Sequence, residues 1–151
     1  MSPSSAGRAE KLGYTNVKVY HDGLPEWTKK NYTVLTAKSL KDPLIDKAIP
    51  QVLLDVRQTA SAEKGFIKGA VTMPAAEVAA NISNFPPKDK KPPIMIVDDK
   101  GGNDAQTAAK ALIAVGYTGV SIVTGGMDAW QSAKYPMETG RLATAITYVP
   151  K

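Results

Sequence analysis

The sequence contains no cysteine, and this absence excludes more functional classes than any other feature of the composition. Without a thiol the chain can form no disulfide, bind no metal through thiolate and attack no substrate with a cysteine nucleophile. It also lacks any run of about 18 or more apolar residues, so it predicts no membrane-spanning segment. The opening stretch Met1 to Gly7 has no apolar core and does not match a signal peptide as it stands.

Basic patches of the kind that bind nucleic acid are missing too. The 151 residues carry a formal charge of +5, but the lysines are scattered and the densest group, 88–91, has no aromatic or arginine cluster beside it. A hydrophobic content of 43% is enough for one compact domain with a core. The composition leaves the compartment open between cytoplasm and bacterial periplasm, and it predicts no nucleic-acid partner.

The stretch that organises the chain is 94–117. Its first residues, Ile94–Val97, are wholly apolar, which is typical of a strand buried on both faces. A polar loop with two glycines follows at 98–104. Apolar residues at helical spacing then predict a helix over Ala105–Val115, and Gly116 is a natural stop.

A strand that leads through a tight loop into a helix directs several free N–H groups at one point. That point carries roughly half a positive charge and suits an anion. The loop itself opens with two carboxylates, Asp98 and Asp99, and either Asn103 or Asp104 can cap the helix. We take the whole loop as the candidate site: Asp98, Asp99, Lys100, Gly101, Gly102, Asn103 and Asp104.

Part of the chain is repeated, because Gly13–Tyr32 aligns without gaps on Gly116–Tyr135. The identical pairs are Gly13/Gly116, Tyr14/Tyr117, Thr15/Thr118, Val17/Val120, Gly23/Gly126, Trp27/Trp130 and Tyr32/Tyr135. We interpret this as two copies of one helix–strand–helix unit. In the first copy we predict the end of a helix before Gly13, a strand over Val17–Tyr20 and a helix over Leu24–Lys30. The counterpart of Asp99 would precede Met1, so we expect residues 1–32 to be the tail of a preceding module.

Strands and helices alternate between the two copies, which predicts an α/β fold with a mostly parallel sheet and helices on both faces. The predicted strands are Tyr32–Thr36, Gln51–Val56, Ala70–Pro74, Ile94–Val97 and Val120–Val123. The other predicted helices are Pro43–Ala48, Ala75–Ile82 and Asp128–Lys134. We expect one domain at 33–140 and a tail or linker at 141–151.

An ordered set of motifs resembles the rhodanese-like, or sulfurtransferase, domain family. These are LLDVR (Leu53–Arg57), EKGFIKGA (Glu63–Ala70), IMIVD with its glycine-containing loop, the Ala108 to Tyr117 helix end, and Gly125-Gly126 followed by Ala129-Trp130. The resemblance covers roughly residues 33–139. It implies a central five-stranded, mostly parallel sheet flanked by helices.

The resemblance also implies a reactive cysteine directly after the strand that matches Ile94–Val97, in a loop that cradles an oxyanion or persulfide. We assign that place to Asp99. The arginine-serine pair common at the helix start in the family is Asp104-Ala105 here, and the frequent histidine of the EKGFIKGA segment is Phe66.

A carboxylate cannot carry a sulfane sulfur, because that chemistry needs a sulfur atom able to form an S–S bond. The sequence therefore predicts a non-catalytic module with a regulatory, scaffold or protein-binding role beside a partner or a neighbouring repeat. We expect Asp99 to accept the loop N–H groups, Asp104 to cap the helix and Asp98 to face solvent. Asp55 and Arg57 are predicted to form a structural ion pair.

Glu63 is the predicted third member of that network. The alternative function is an enzyme with carboxylate- or metal-based chemistry at the Asp98–Asp104 loop, where Asp98, Asp99, Asn103 and Asp104 could offer oxygens to Mg²⁺ or Ca²⁺. Their spacing does not match an EF-hand, so we expect no metal and no cofactor. The sequence leaves monomer and swapped dimer both open.

Overall fold

The computed structural model describes residues 3–17, 26–27 and 29–150. The strands are β1 (Thr33–Leu35), β2 (Val52–Asp55), β3 (Val71–Thr72), β4 (Ile94–Val97) and β5 (Val120–Val123). The helices are α1 (Pro3–Lys11), α2 (Ala37–Leu40), α3 (Thr59–Ala62), α4 (Ala75–Val78), α5 (Asn103–Ala114) and α6 (Gly126–Ser132). A π-helical turn, Lys41–Ile45, extends α2, and 3₁₀ turns cover Ala79–Asn84 and Lys88–Lys90. Residues 18–20 of the predicted strand over 17–20, and residues 24, 25 and 28 of the predicted helix over 24–30, lie outside the described residues.

The strands of the described ranges form one sheet in the order β1-β5-β4-β2-β3, and every adjacent pair is parallel. This confirms the predicted five-stranded α/β architecture. The central strand β4 is buried along its whole length, as an uninterrupted apolar run requires. Because parallel strands end at the same edge, the loops after β2, β4 and β5 meet at the carboxyl edge of the sheet.

The core divides into two layers, one on each face of the sheet. Ile94 and Ile96 point to the layer that contains α5, while Met95 and Val97 point to the layer that contains α6. This alternation is the ordinary two-residue period of a strand. No helix in the described ranges is long and apolar enough to cross a membrane.

The helix predicted at Pro43–Ala48 was placed wrongly. The structure begins it at Ala37, where Thr36 Oγ1 accepts the Ser39 N–H at 3.1 Å and acts as the N-cap. Pro43 lies inside the π-helical turn, in which the Asp46 N–H donates to Lys41 O at 2.9 Å, five residues back. Proline has no N–H and cannot continue the regular helical ladder, which favours the wider register at this point.

The two aligned segments have the same helix ending. Gly13 (φ +91°) and Gly116 (φ +102°) both occupy the left-handed region after a helix. The next residue, Tyr14 or Tyr117, donates its N–H to the carbonyl five residues back at 3.2 Å in both places. The side chains differ, since Tyr117 is 4% exposed and Tyr14 is 66% exposed. The local backbone is repeated, but only the second tyrosine is covered by a core.

The predicted tail after residue 140 packs back onto the domain. Leu142 is buried, and the Thr72 N–H donates to Ala143 O at 2.9 Å beside β3. Ile146 and Tyr148 pack against the core layer that contains α5. The tail therefore covers part of the sheet edge at β3, which would otherwise present unpaired backbone groups.

Candidate functional site

The candidate site is the loop 98–104, which we call the cradle loop. It joins the end of β4 to the start of α5 at the carboxyl edge of the sheet. Since β4 lies between β2 and β5, the loop is flanked by the segments that follow both neighbouring strands. This is the general position of ligand sites in open parallel sheets.

A carboxylate already fills the amide-lined centre of the cradle loop. Asp98 Oδ1 accepts the N–H groups of Lys100, at 3.0 Å, and Gly101. Asp98 Oδ2 accepts the N–H groups of Gly102 at 2.9 Å and Ala105 at 3.1 Å. The Asp98 side chain is buried, with 5% exposed. Four backbone donors thus converge on one internal anion, which offsets the cost of burying its charge.

The prediction that Asp99 fills this pocket while Asp98 faces solvent was wrong. The Asp99 side chain is 67% exposed, and its Oδ1 lies 3.8 Å from Arg57 Nη1. The reason is the strand period: Ile94 and Ile96 face the α5 layer, so Asp98 continues on that side. This side holds the N-terminus of α5 and its free N–H groups. The alternation along β4 was therefore the signal in the sequence that could have identified Asp98 as the pocket carboxylate.

The predicted helix cap was also wrong. The N-cap of α5 is Gly102, which has no side chain to accept a hydrogen bond, and Asn103 and Asp104 are exposed. Asp98 performs the capping function from outside the helix, since its Oδ2 accepts the Ala105 N–H in the first turn. Asp104 remains in that first turn, where a negative charge interacts favourably with the helix dipole.

A second helix holds the cradle loop from behind. At the start of α6, the Met127 N–H donates to Asp98 O at 2.8 Å and the Asp128 N–H donates to Asp99 O at 2.9 Å. The approach is so close that a Cβ on Gly126, at φ +52°, would lie 2.3 Å from Asp98 O. The sequence reasoning identified the Gly125-Gly126 turn but not this contact. The double glycine before an amphipathic helix was the available signal for a close backbone approach.

The predicted Asp55–Arg57 pair is present, and it supports the neighbouring loop. Arg57 Nε and Nη2 donate to the two carboxylate oxygens of Asp55 at 2.9 and 2.6 Å, and Nη2 also donates to Gly65 O at 2.8 Å. Burial opposes the charge on Arg57, but the hydrogen bonds and charge of Asp55 outweigh it and raise the pKa of the guanidinium. Glu63 does not join the pair: its side chain is exposed, and its backbone carbonyl accepts the Gly140 N–H.

The carboxylates of the cradle loop do not converge as cation ligands. Both oxygens of Asp98 are committed to N–H donors, which direct their positive ends at the place a cation would occupy. Asp99 points away into solvent. Over the part of the chain that the structure describes, no three acidic, histidine or cysteine side chains form a group able to hold a metal ion. The geometry suits an anion, and the anion is Asp98 itself.

Comparison with known proteins agrees with this fold. A family model described as rhodanese-like domain matches residues 36–133. The Escherichia coli K12 protein YibN is 30% identical over 90 residues, which are 60% of this chain and 62% of YibN. The chain thus spans less than two thirds of that relative. The thiosulfate sulfurtransferase GlpE of Pseudomonas entomophila is 33% identical over 90 residues, 60% of this chain and 78% of GlpE.

Among solved structures, a thiosulfate sulfurtransferase from Pseudomonas aeruginosa has a similar fold. The superposition has a TM-score of 0.61 at 21% identity and covers 96% of this chain but 32% of that one. At this identity the likeness concerns the fold alone.

Proposed function

The chain belongs to the rhodanese-like domain family, and from that premise we propose that it is a non-catalytic member, with a regulatory, scaffold or protein-binding role. The proposal rests chiefly on one observation, the Asp98 carboxylate bound by four N–H groups of the cradle loop. The family resemblance implies a reactive cysteine directly after the strand. We assign that position to Asp98 rather than to Asp99, and the end of β4 at Val97 supports this assignment.

Carboxylate chemistry supports inactivity in sulfur transfer. A persulfide carrier must form and break an S–S bond, and the chain contains no cysteine that could do so. Asp98 also occupies the donors that an incoming thiosulfate would use. A second unit negative charge about 4 Å from Asp98 would be opposed by about 4 kcal/mol at an effective dielectric constant near 20, which is about a thousandfold loss of affinity.

The alternative enzyme, with carboxylate- or metal-based chemistry in the same loop, gains no support from the geometry. A general base or an acyl acceptor needs a free oxygen that can reach a substrate. Both carboxylate oxygens of Asp98 accept backbone N–H groups. The Asp99 side chain is exposed, and its Oδ1 lies 3.8 Å from Arg57 Nη1. We therefore place the function of the module in its association with other polypeptide rather than in its own chemistry.

We extend the proposal to the neighbour: residues 1–32 are the tail of a preceding rhodanese-like repeat. The aligned glycines and the matching helix endings at Gly13 and Gly116 support this interpretation. So do the exposures of Tyr14 and Tyr117, because the first copy has the same helix ending but its tyrosine is not covered by a core. The neighbouring repeat is then the partner that the module positions or regulates.

The test is a thiosulfate:cyanide sulfurtransferase assay on the purified chain, with an active rhodanese as a positive control. We expect no thiocyanate above the protein-free rate. Asp98→Cys is the informative variant, because it places a thiol among the same N–H donors, which lower a thiol pKa. Mass spectrometry after thiosulfate should then reveal a cysteine persulfide in Asp98→Cys and none in the parent. Turnover by the parent chain would overturn the proposal.

A further inference from the structure

The helix ending that occurs in both aligned segments has the same backbone in each but different surroundings. The Gly13 N–H donates to Glu10 O at 3.0 Å, and the equivalent bond from the Gly116 N–H is 2.9 Å long. The tyrosine that follows is exposed in the first copy, as Tyr14, and buried in the second copy, as Tyr117. Because the two backbones match, the second copy shows what covers a helix ending of this shape.

The cover in the second copy is a segment of four residues, Phe85–Lys88, which we call the proline segment. Tyr117 Oη donates to Pro86 O at 2.7 Å, and the Phe85 ring centroid lies 5.9 Å from that of Tyr117 in a tilted arrangement. Lys88 Nζ donates to Val115 O at 2.6 Å, just after the last residue of α5. An aromatic ring, a proline carbonyl and a cation thus cover this helix ending.

The proline segment is extended and needs little ordering before it docks. Phe85 has φ −81° and ψ +154°, and Pro87 has φ −55° and ψ +137°. Both pairs of angles are close to the polyproline II conformation. Proline restricts its own φ and the conformation of the residue before it in a free chain as well. A segment of this kind therefore loses little conformational entropy when it binds to an aromatic surface.

The first helix ending, by which we mean Leu12, Gly13 and Tyr14, offers an exposed tyrosine in the same backbone setting. Tyr14 is 66% exposed and Leu12 is 78% exposed. The charge differs from that of the second copy, because Arg8 and Lys11 lie in the last turn of α1 whereas α5 has no basic residue there. These two cations already interact favourably with the helix dipole, so the first helix ending does not need a cation from its partner.

We propose that the first helix ending docks an aromatic–Pro–Pro segment of the neighbouring repeat, in the way that the proline segment covers Tyr117. The aromatic ring contacts the Tyr14 ring, and Tyr14 Oη donates to the carbonyl of the first proline. Leu12 adds exposed apolar surface to the same helix ending. The inference rests on the proposal that residues 1–32 belong to a preceding repeat, since it names the contact that joins them to the rest of that repeat.

The probe is an acetylated and amidated peptide with the sequence of residues 84–91, NFPPKDKK. It is titrated into the full chain labelled with ¹⁵N, up to about 10 mM so that a millimolar Kd is covered. We expect saturable shifts of the amide signals of residues 12–14. The signals of residues 115–117 should remain in place, because the proline segment of the chain itself already covers them.

Two peptide variants test the chemistry of the occupant. Phe85→Ala in the peptide removes the ring that would contact Tyr14, and it should weaken binding about two- to tenfold, the range of an aromatic pair. Lys88→Gln in the peptide should not weaken binding, because the last turn of α1 supplies its own positive charges. Equal affinity of the unchanged and Phe85→Ala peptides would overturn the proposal.

Two protein variants test the hydroxyl contact. Tyr14→Phe changes an exposed side chain, so the protein should fold normally and bind the peptide about two- to tenfold more weakly. Tyr117→Phe is the matched control, and it should leave the peptide affinity unchanged because that hydroxyl is bonded within the chain. Absence of saturable shifts at residues 12–14, or equal affinity of the parent and Tyr14→Phe, would overturn the docking proposal. Neither result depends on the sulfurtransferase assay, so failure of one proposal is distinguishable from failure of the other.

Discussion

The substitution Asp98→Asn isolates the internal anion of the cradle loop with almost no change in side-chain volume. The amide oxygen can still accept one pair of N–H groups, but the new NH₂ group faces the other pair as donor against donor. Two hydrogen bonds to a charged acceptor are lost, each worth about 1.5 kcal/mol. The Lys100 amide is on an exposed residue and can recover part of this from water. We expect the free energy of unfolding to fall by about 2–3 kcal/mol.

The matched control is Asp99→Asn, the same chemical change one residue later. Because the Asp99 side chain is 67% exposed and its contact with Arg57 is 3.8 Å long, we expect an effect within about 0.5 kcal/mol. Urea unfolding followed by circular dichroism measures the free energy of unfolding of both variants. In a thermal scan, the Tm of Asp98→Asn should drop by about 4–12 °C. Equal stability of the two variants would refute the reasoning, and a larger loss for Asp99→Asn would restore the original prediction.

Three further outcomes follow from the packing. Gly126→Ala should lower the free energy of unfolding by at least about 3 kcal/mol, because the new Cβ would lie 2.3 Å from the Asp98 carbonyl oxygen of the cradle loop. Gly7→Ala in α1, where a Cβ meets nothing within 4 Å, should raise it by about 0.5–1 kcal/mol, and urea unfolding measures both variants. Arg57→Met should lower the free energy of unfolding by about 3–5 kcal/mol, because it leaves Asp55 as an unpaired buried charge. In a double-mutant cycle, adding Asp55→Leu should recover part of this loss, and additive losses from the two substitutions would contradict the reasoning. Burial raises the pKa of Tyr117, so the unfolded chain loses the phenolic proton at a lower pH than the folded chain does. The free energy of unfolding should therefore fall as pH rises above about 10, and it should fall less steeply in Tyr117→Phe. Parallel pH profiles of the parent and the variant would contradict this.

The sheet could be predicted from the sequence because its inner strands are mainly apolar. Ile94–Val97 and Val120–Val123 have the predicted bounds; the first is apolar and buried throughout, and the second is buried except at the half-buried Ser121. The helix near Pro43 could not be placed as well. Proline at a helix start is a common signal, but here Thr36 supplies the cap and Pro43 falls inside a wider turn.

The site was predicted as a loop but not as a set of contacts. Asp55 and Arg57 are two residues apart, so a strand end brings them together locally, and their pair was found. Asp98 and Asp99 are adjacent carboxylates that composition cannot distinguish, and only the direction of each side chain out of β4 decides between them. The contact of α6 with the back of the loop depends on tertiary packing, which a linear pattern does not contain.

The central claim is that the Asp98 carboxylate has taken the place of a bound anion. The most direct measurement is a thiosulfate titration followed by the ¹⁵N–¹H signals of Lys100, Gly101, Gly102 and Ala105. In the parent chain we expect these signals to remain unmoved, and in Asp98→Ser, which frees the same donors, they should shift in a saturable way. Saturable shifts in the parent chain would contradict the account.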